Sequence, residues 1–280
     1  MTEPVAPAAA VVLSDVARAL EEDLGAIDLT AQLLPAWAEA SAQIIVREAA
    51  VLCGSDWAAA AFHSLDPELQ MHWHYRDGDR LVANCCVLDL CGKVRAIVSA
   101  ERTALNFLQT LSATATVARR YADAVVGTGT RVLDTRKTLP GLRAAQKYAV
   151  RCGGASNHRL GLYDAVLIKE NHIRAAGSIS AAISAARAIA GQRLVEIEVE
   201  TLAEFAEALA AAPDRIMLDD WSIADMRQAV TDNAGRVALE ISGGVDLDRL
   251  QALAALGVDY LSVGALTKHL RAIDFSLRLL

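Results

Sequence analysis

Aromatic residues are scarce in this 280-residue chain, at 5% of positions, although hydrophobic residues make up 54%. A core with so few rings is aliphatic, and alanine-rich stretches at 181–190 and 203–212 supply helices able to pack closely on strands. No apolar run reaches the roughly 18 residues that a membrane-spanning helix needs. The opening MTEPVAPAAAVV lacks a basic segment and a long apolar core, so it reads as a flexible leader entering a helix, not as a targeting signal. Excess positive charge is also missing. The formal charge is −7, which excludes broad binding to nucleic acid or to a membrane surface but leaves room for a local basic pocket. The five cysteines (Cys53, Cys85, Cys86, Cys91 and Cys152) are odd in number and have no paired spacing, which points to a reducing cytoplasm. With no second CxxC and no following histidine pair, they read as small buried hydrophobes and not as zinc ligands.

The length suits one large domain or two modest ones. The first hundred residues read as α+β with short antiparallel strands: SDVARALEEDLG is an amphipathic helix capped by Ser14 and stopped by Gly25, and DWAAAAFHSL is a second helix. AQIIVREAAVLCG, LQMHWHY, DRLVANCCVLDLCG and KVRAIVSA read as strands, with Asp77-Gly78 as a turn. A long helix follows over 99–127, opening at a capping Ser99 with Arg102 in its first turn and breaking near Ser112. A cation there opposes the helix dipole, so Arg102 calls for a partner elsewhere.

Beyond this helix a βα rhythm sets in. Six strand-like runs end on Thr135-Arg136-Lys137, Lys169, Glu198, Asp219, Ser242-Gly243-Gly244 and Gly264, and from Lys169 onward these ends fall 29, 21, 23 and 22 residues apart. That is the pitch of one strand plus one helix, and parallel strands deliver their C-terminal ends to one face. Arg136, Lys137, His158, Arg159 and Lys169 can there neutralise a ligand carrying two or more negative charges. EIEVE alternates, so period two places Glu196, Glu198 and Glu200 on one face, which is costly inside a barrel without cations or a metal. Glu198 and Asp219 are hard-oxygen ligands suited to Mg²⁺ through water. Ser242, Gly243, Gly244 and Gly264 let backbone N–H groups approach a phosphate near helix N-termini. Read alone, the cationic turn also fits a solvated surface loop, and Lys169 also fits a Schiff-base nucleophile.

ERTALNFLQTLS, DTRKTLPGLRAAQKYAVRCGG, NHRLGLYDAVLIKENHI, EIEVE, IMLD, ISGG and VDYLSVGALTKHLRAIDFSLR together resemble the quinolinate phosphoribosyltransferase family over nearly the whole chain. The resemblance implies an α/β protein with an N-terminal α/β sandwich over 1–113, rejoined by 270–280, and an open or incomplete α/β barrel over 114–269. It implies a homodimer or larger assembly in which Arg102 reaches a neighbouring site. Arg136, His158 and Arg159 would hold the two carboxylates of quinolinate, with Lys137 and Lys169 beside them. Glu198 and Asp219 would serve Mg²⁺ and phosphoribosyl diphosphate, and Ser242, Gly243, Gly244 and Gly264 a phosphate. Lys137, Lys169, Glu198 and Asp219 would be the catalytic set. The rival readings are a molybdenum-transport-linked paralogue with the same barrel, a Schiff-base lyase using Lys169, and a non-catalytic anion-binding protein.

Overall fold

The computed structural model describes residues 4–280; the first three residues of the leader lie outside it. In chain order the elements are α1 (Ala9–Leu24), β1 (Glu39–Val46), β2 (Ala50–Val51), α2 (Ser55–Leu65), β3 (Gln70–Trp73), β4 (Arg80–Leu81), β5 (Cys86–Lys93), α3 (Val94–Ala124), β6 (Arg131–Leu133), α4 (Arg143–Cys152), β7 (Val166–Ile168), α5 (Glu170–Ala176), α6 (Ile179–Ala190), β8 (Val195–Val199), α7 (Leu202–Ala211), β9 (Arg215–Asp219), α8 (Ile223–Asn233), β10 (Ala238–Ser242), α9 (Leu247–Ala254), β11 (Tyr260–Ser262), α10 (Ala265–Lys268) and β12 (Phe275–Leu279). They divide between two compact units, one formed by residues 1–120, 138–154 and 266–280, the other by 121–137 and 155–265.

The first unit holds a four-stranded antiparallel sheet in the order β12-β1-β5-β3. The C-terminal strand therefore pairs beside β1, with Ile44 opposite Leu277. Its core joins Val16 and Leu20 of α1, Ile44 and Val46, Trp57 and Phe62 of α2, Leu88, and Ile97, Leu105 and Leu108 of α3. Truncating a side chain as large as Trp57 in such a core costs about 3–5 kcal/mol. Asp15 is buried here, and its desolvation cost is offset by Trp57 Nε1 donating to it at 3.1 Å and Arg18 at 2.6 Å.

Two helix starts differ from the sequence expectation. α1 begins at Ala9, so Ser14 lies inside it; Val12, Val16 and Leu20 form one buried stripe at a spacing of four, which extends the helix past the cap-like serine. α3 likewise begins at Val94, so 94–100 is helical and not strand. Buried Val94, Ile97, Ala100 and Ala104 recur every three or four residues, and Ser99 uses its hydroxyl to donate to Asp28 at 2.6 Å. Arg102 is therefore mid-helix, and the dipole argument for it lapses. Nor does α3 break near Ser112. That hydroxyl accepts from the Cys53 N–H and donates to the Cys53 carbonyl, at 3.0 and 3.1 Å, tying an unbroken helix to the segment before α2.

The second unit is a six-stranded parallel sheet in the order β6-β11-β10-β9-β8-β7, with helices between successive strands. Ser156 adds a single parallel bridge to Leu133 outside β6, and no ladder joins that segment to β7 among the described residues, so the barrel is open. Helices α6, α7, α8 and α9 start at Ser178, Thr201, Ser222 and Asp246, each accepting a backbone N–H three residues on. Val195, Ile197 and Val199 of β8 are buried, as are Ala182, Ile183, Phe205 and Ala208 of the adjoining helices. β8 runs between β7 and β9 and is not an edge strand.

Candidate active site

The parallel strands bring Lys137, Lys169, Glu198, Asp219, Ser242, Gly243, Gly244 and Gly264 to one edge of the sheet, at or just past the ends of β6, β7, β8, β9, β10 and β11. Arg136 follows β6, and His158 and Arg159 lie in the loop before β7. Of the candidate site residues, Arg102 alone belongs to the first unit.

At the β6 end, Asp134 is completely buried. Its carboxylate accepts from the His158 N–H at 2.9 Å and from Asn157 Nδ2 at 2.6 Å. One acid thus pins the Asn-His-Arg loop against the Thr-Arg-Lys strand end, which explains how residues more than twenty apart in sequence share a site. Arg159 is further held by its Nη1 donating to the Ala165 carbonyl at 3.3 Å. Burial, and then the charge of Arg136, lower its pKa, which places the two guanidiniums within electrostatic reach of each other. Two like charges near each other repel, and an anion between them would offset that repulsion.

His158 faces inward. Its Nδ1 accepts the Arg159 N–H at 2.7 Å, and its Nε2 lies 3.0 Å from Glu196 Oε2 and 3.6 Å from Glu240 Oε1. Arg215 Nη1 meets Glu240 at 2.7 Å and Glu196 at 3.9 Å, and its guanidinium stacks 4.0 Å above the Tyr260 ring. Glu196 pairs in register with Arg215, and Glu240 with Tyr260, so these groups form one polar layer across the sheet. Burial pushes both carboxyls up, each to about 7, and the Glu196 charge adds to the rise at Glu240. Near neutral pH the two titrate as a pair.

Glu198 lies two residues further along β8, on the same face and about 6–7 Å nearer the strand ends. It forms an ion pair with Lys169, whose own N–H donates to His172 Nδ1 at 3.0 Å. Glu200 departs from the expected glutamate face, because β8 stops at Val199 and Glu200 is exposed beyond it. Asp219 ends β9, opposite Ser242, and its carboxylate has no side-chain partner among the described residues. Asp220 turns away with a left-handed φ of 59° and donates its N–H to the Ser242 carbonyl at 3.1 Å. That close approach needs Gly243: a Cβ there would sit 2.9 Å from the Asp220 nitrogen, at a φ of +85°. On the other side, Gly264 leaves space for Lys137, whose Cδ would lie 3.2 Å from an added Cβ.

The helix after the Gly-Gly turn is less open to an anion than expected, because Asp246 caps its first turn and accepts the Arg249 N–H at 2.9 Å. Arg249 instead offers a cation there, with Nη1 donating to the Gly244 carbonyl at 2.9 Å. Asp134, Asn157, Arg215, Glu240 and Arg249 were not singled out from the sequence. The signal for Asp134 was present, since it abuts the Thr-Arg-Lys run; the rest depend on cross-strand register.

Residues 28–112 match the family model for the N-terminal domain of quinolinate phosphoribosyl transferase, and residues 114–278 match that for its C-terminal domain. The chain belongs to the quinolinate phosphoribosyltransferase family. Among its relatives, it is 42% identical to nicotinate-nucleotide pyrophosphorylase [carboxylating] of Mycobacterium leprae over 94% of this chain and 95% of that one. It is 38% identical to a probable enzyme of the same name from Bacillus subtilis, over 91% and 89%. The solved nicotinate-nucleotide pyrophosphorylase of Francisella tularensis superposes with a TM-score of 0.96 at 46% identity, covering all of both chains. The fold of the family is thus an antiparallel sheet unit and an open parallel barrel in this chain as well, and the Schiff-base reading of Lys169 has no support.

Proposed function

We propose that this chain transfers the phosphoribosyl group of phosphoribosyl diphosphate to the ring nitrogen of quinolinate, giving nicotinate mononucleotide, diphosphate and CO₂, a step of NAD biosynthesis. The observation that carries the reading is the Asp134 carboxylate holding the Asn157-His158 loop, which bears Arg159, against the strand end that bears Arg136, beside the acids and glycines of one sheet edge. Quinolinate is a dianion, and two guanidinium forks suit its two adjacent carboxylates. His158 buttresses this corner through Glu196 and Glu240.

Lys137, in the space left by Gly264, and Lys169 supply point charges for the phosphate groups, and Ser242, Gly243 and Gly244, with Arg249, line the far side. Glu198 and the uncommitted Asp219 carboxylate fit Mg²⁺ by their hard oxygens and would hold it through water. Bound there, Mg²⁺ would neutralise charge on the leaving diphosphate. The bond from the ribose C1 to diphosphate breaks with its electron pair going to the diphosphate. The pyridine nitrogen forms the new bond to that carbon, and Glu198 and Asp219 stabilise the positive sugar. The protein's main task is alignment. With the ring nitrogen quaternary, the adjacent carboxylate leaves as CO₂, its bonding pair stays on the ring carbon, and that carbon takes up a proton.

A homodimer completes the site in this reading, with exposed Arg102 on α3 reaching the neighbouring subunit's pocket. No helix among the described residues is long and apolar enough to cross a membrane, and the unpaired cysteines support a cytoplasmic setting. The test is turnover: with phosphoribosyl diphosphate and Mg²⁺, quinolinate should yield nicotinate mononucleotide and CO₂ in equal amounts, and nicotinate should yield no product. Equal use of nicotinate would refute the reading.

A further inference from the structure

We propose that His74, Cys86 and Asp89, on the antiparallel sheet of the first unit, form a binding site for a zinc-class metal ion. Their donor atoms all lie within 4.8 Å of one another. His74 Nε2 is 2.6 Å from Asp89 Oδ2, and Cys86 Sγ is 3.6 Å from Asp89 Oδ1. An imidazole, a thiol and a carboxylate are a borderline-soft donor set, which selects Zn²⁺ over Mg²⁺ or Ca²⁺.

The backbone builds this arrangement. Leu88 and Leu90 of β5 face the core, so in a regular strand Cys86 would face it with them, while Asp89 faces the open side. A β-bulge intervenes: Ile44 of β1 pairs with Leu88, but the next residue, Ile45, pairs with Cys86. The extra residue, Val87, reverses the alternation and brings Cys86 round to Asp89. Bulges often serve to re-aim a side chain in this way. His74 directly follows β3, and its N–H donates to the Val87 carbonyl at 3.0 Å.

The surroundings suit a ligand set. Gln43 Nε2 donates to Asp89 Oδ1 at 2.8 Å and orients the carboxylate. His72, cross-strand from Asp89, meets the His74 ring edge-on at 4.9 Å and packs beside it. The hydrogen bonds from Gln43 and His74 lower the Asp89 pKa, so its charge is already in place. Burial and Asp89 raise that of the Cys86 thiol, so binding must release the thiol proton to solvent. The His74 Nε2 proton also gives way, either to Nδ1 or to solvent, and the lone pair goes to the metal. Tetrahedral ligands stand about 3.3–3.7 Å apart at ordinary zinc bond lengths, so the His74–Asp89 contact would open by about 1 Å.

The test is titration of the full-length, reduced, chelator-stripped enzyme with Co²⁺ in the presence of saturating Mg²⁺, followed by Zn²⁺. The expected result is one equivalent of Co²⁺ with a thiolate-to-cobalt charge-transfer band that Zn²⁺ abolishes. Cys86→Ser should remove the band and Gln43→Ala should weaken binding about 10- to 100-fold. Both variants should retain quinolinate-dependent turnover, which confirms folding. Absence of the band in the parent enzyme, or its survival in Cys86→Ser, would overturn the proposal.

Discussion

Buried ionisable side chains set the character of the barrel interior. Glu196 and Glu240 lie in a layer with Arg215, His158 and Tyr260, and both carboxyls are held well above the usual range for glutamate, at about 7. A raised carboxyl pKa means that the folded state binds the proton more tightly than the unfolded state does. The stabilisation from this protonation is complete below about pH 4.5 and is lost as the pH rises through about 7. Glu240→Gln removes one of these groups. In thermal unfolding between pH 5 and 8, the parent should lose more stability than the variant; parallel curves would show that Glu240 does not titrate in this window. Little of this was legible in sequence. EIEVE announced a glutamate face, and Glu196 and Glu198 do share it, but the strand ends before Glu200. Glu240 and Arg215 sat unremarked within apolar strands, because only the register of β8, β9 and β10 brings them together.

Among the elements, the proposed function falls on the strand ends, with helices between them. The pitch from Lys169 onward was readable because each strand is a short apolar run followed by a helix, a pattern that a parallel sheet imposes. Helix starts were less readable. Ser14 and Ser99 have the chemistry of caps, yet buried apolar stripes carried α1 and α3 past them. At the β9 and β10 ends the limiting contact is backbone on backbone. Gly243→Ala should destabilise the protein by about 1–3 kcal/mol, through strain at its positive φ and collision with Asp220, and should raise KM for phosphoribosyl diphosphate. Gly191→Ala is the control, having a positive φ but nothing within 4 Å of the added Cβ. Denaturant midpoints and steady-state kinetics separate the two; a Gly243 variant no worse than the Gly191 variant would remove the close approach from the account.

For the whole molecule, the proposed dimer makes each pocket depend on two chains. Arg102→Ala and Lys169→Ala enzymes should each be inactive alone. Mixed, they should regain about a quarter of native activity, since a random half of dimers would carry one intact site. No recovery after subunit exchange would place Arg102 outside the neighbouring pocket. The antiparallel unit also shows what a one-dimensional reading hides. Cys86 looked like core filler, and Cys91 did too, yet Cys91 is exposed and Cys86 meets His74 and Asp89 across a bulge that no spacing pattern announces.

The central claim is that cations from two separate chain segments, locked together by Asp134, hold one dicarboxylate. Calorimetric titration of quinolinate into the parent enzyme, Arg136→Ala and Arg159→Ala tests it most directly. Losing one charge-assisted contact should weaken quinolinate binding about 10- to 100-fold in each variant, and nicotinate, with a single carboxylate, should bind the parent more weakly than quinolinate does. Unchanged quinolinate affinity in both variants would contradict the account.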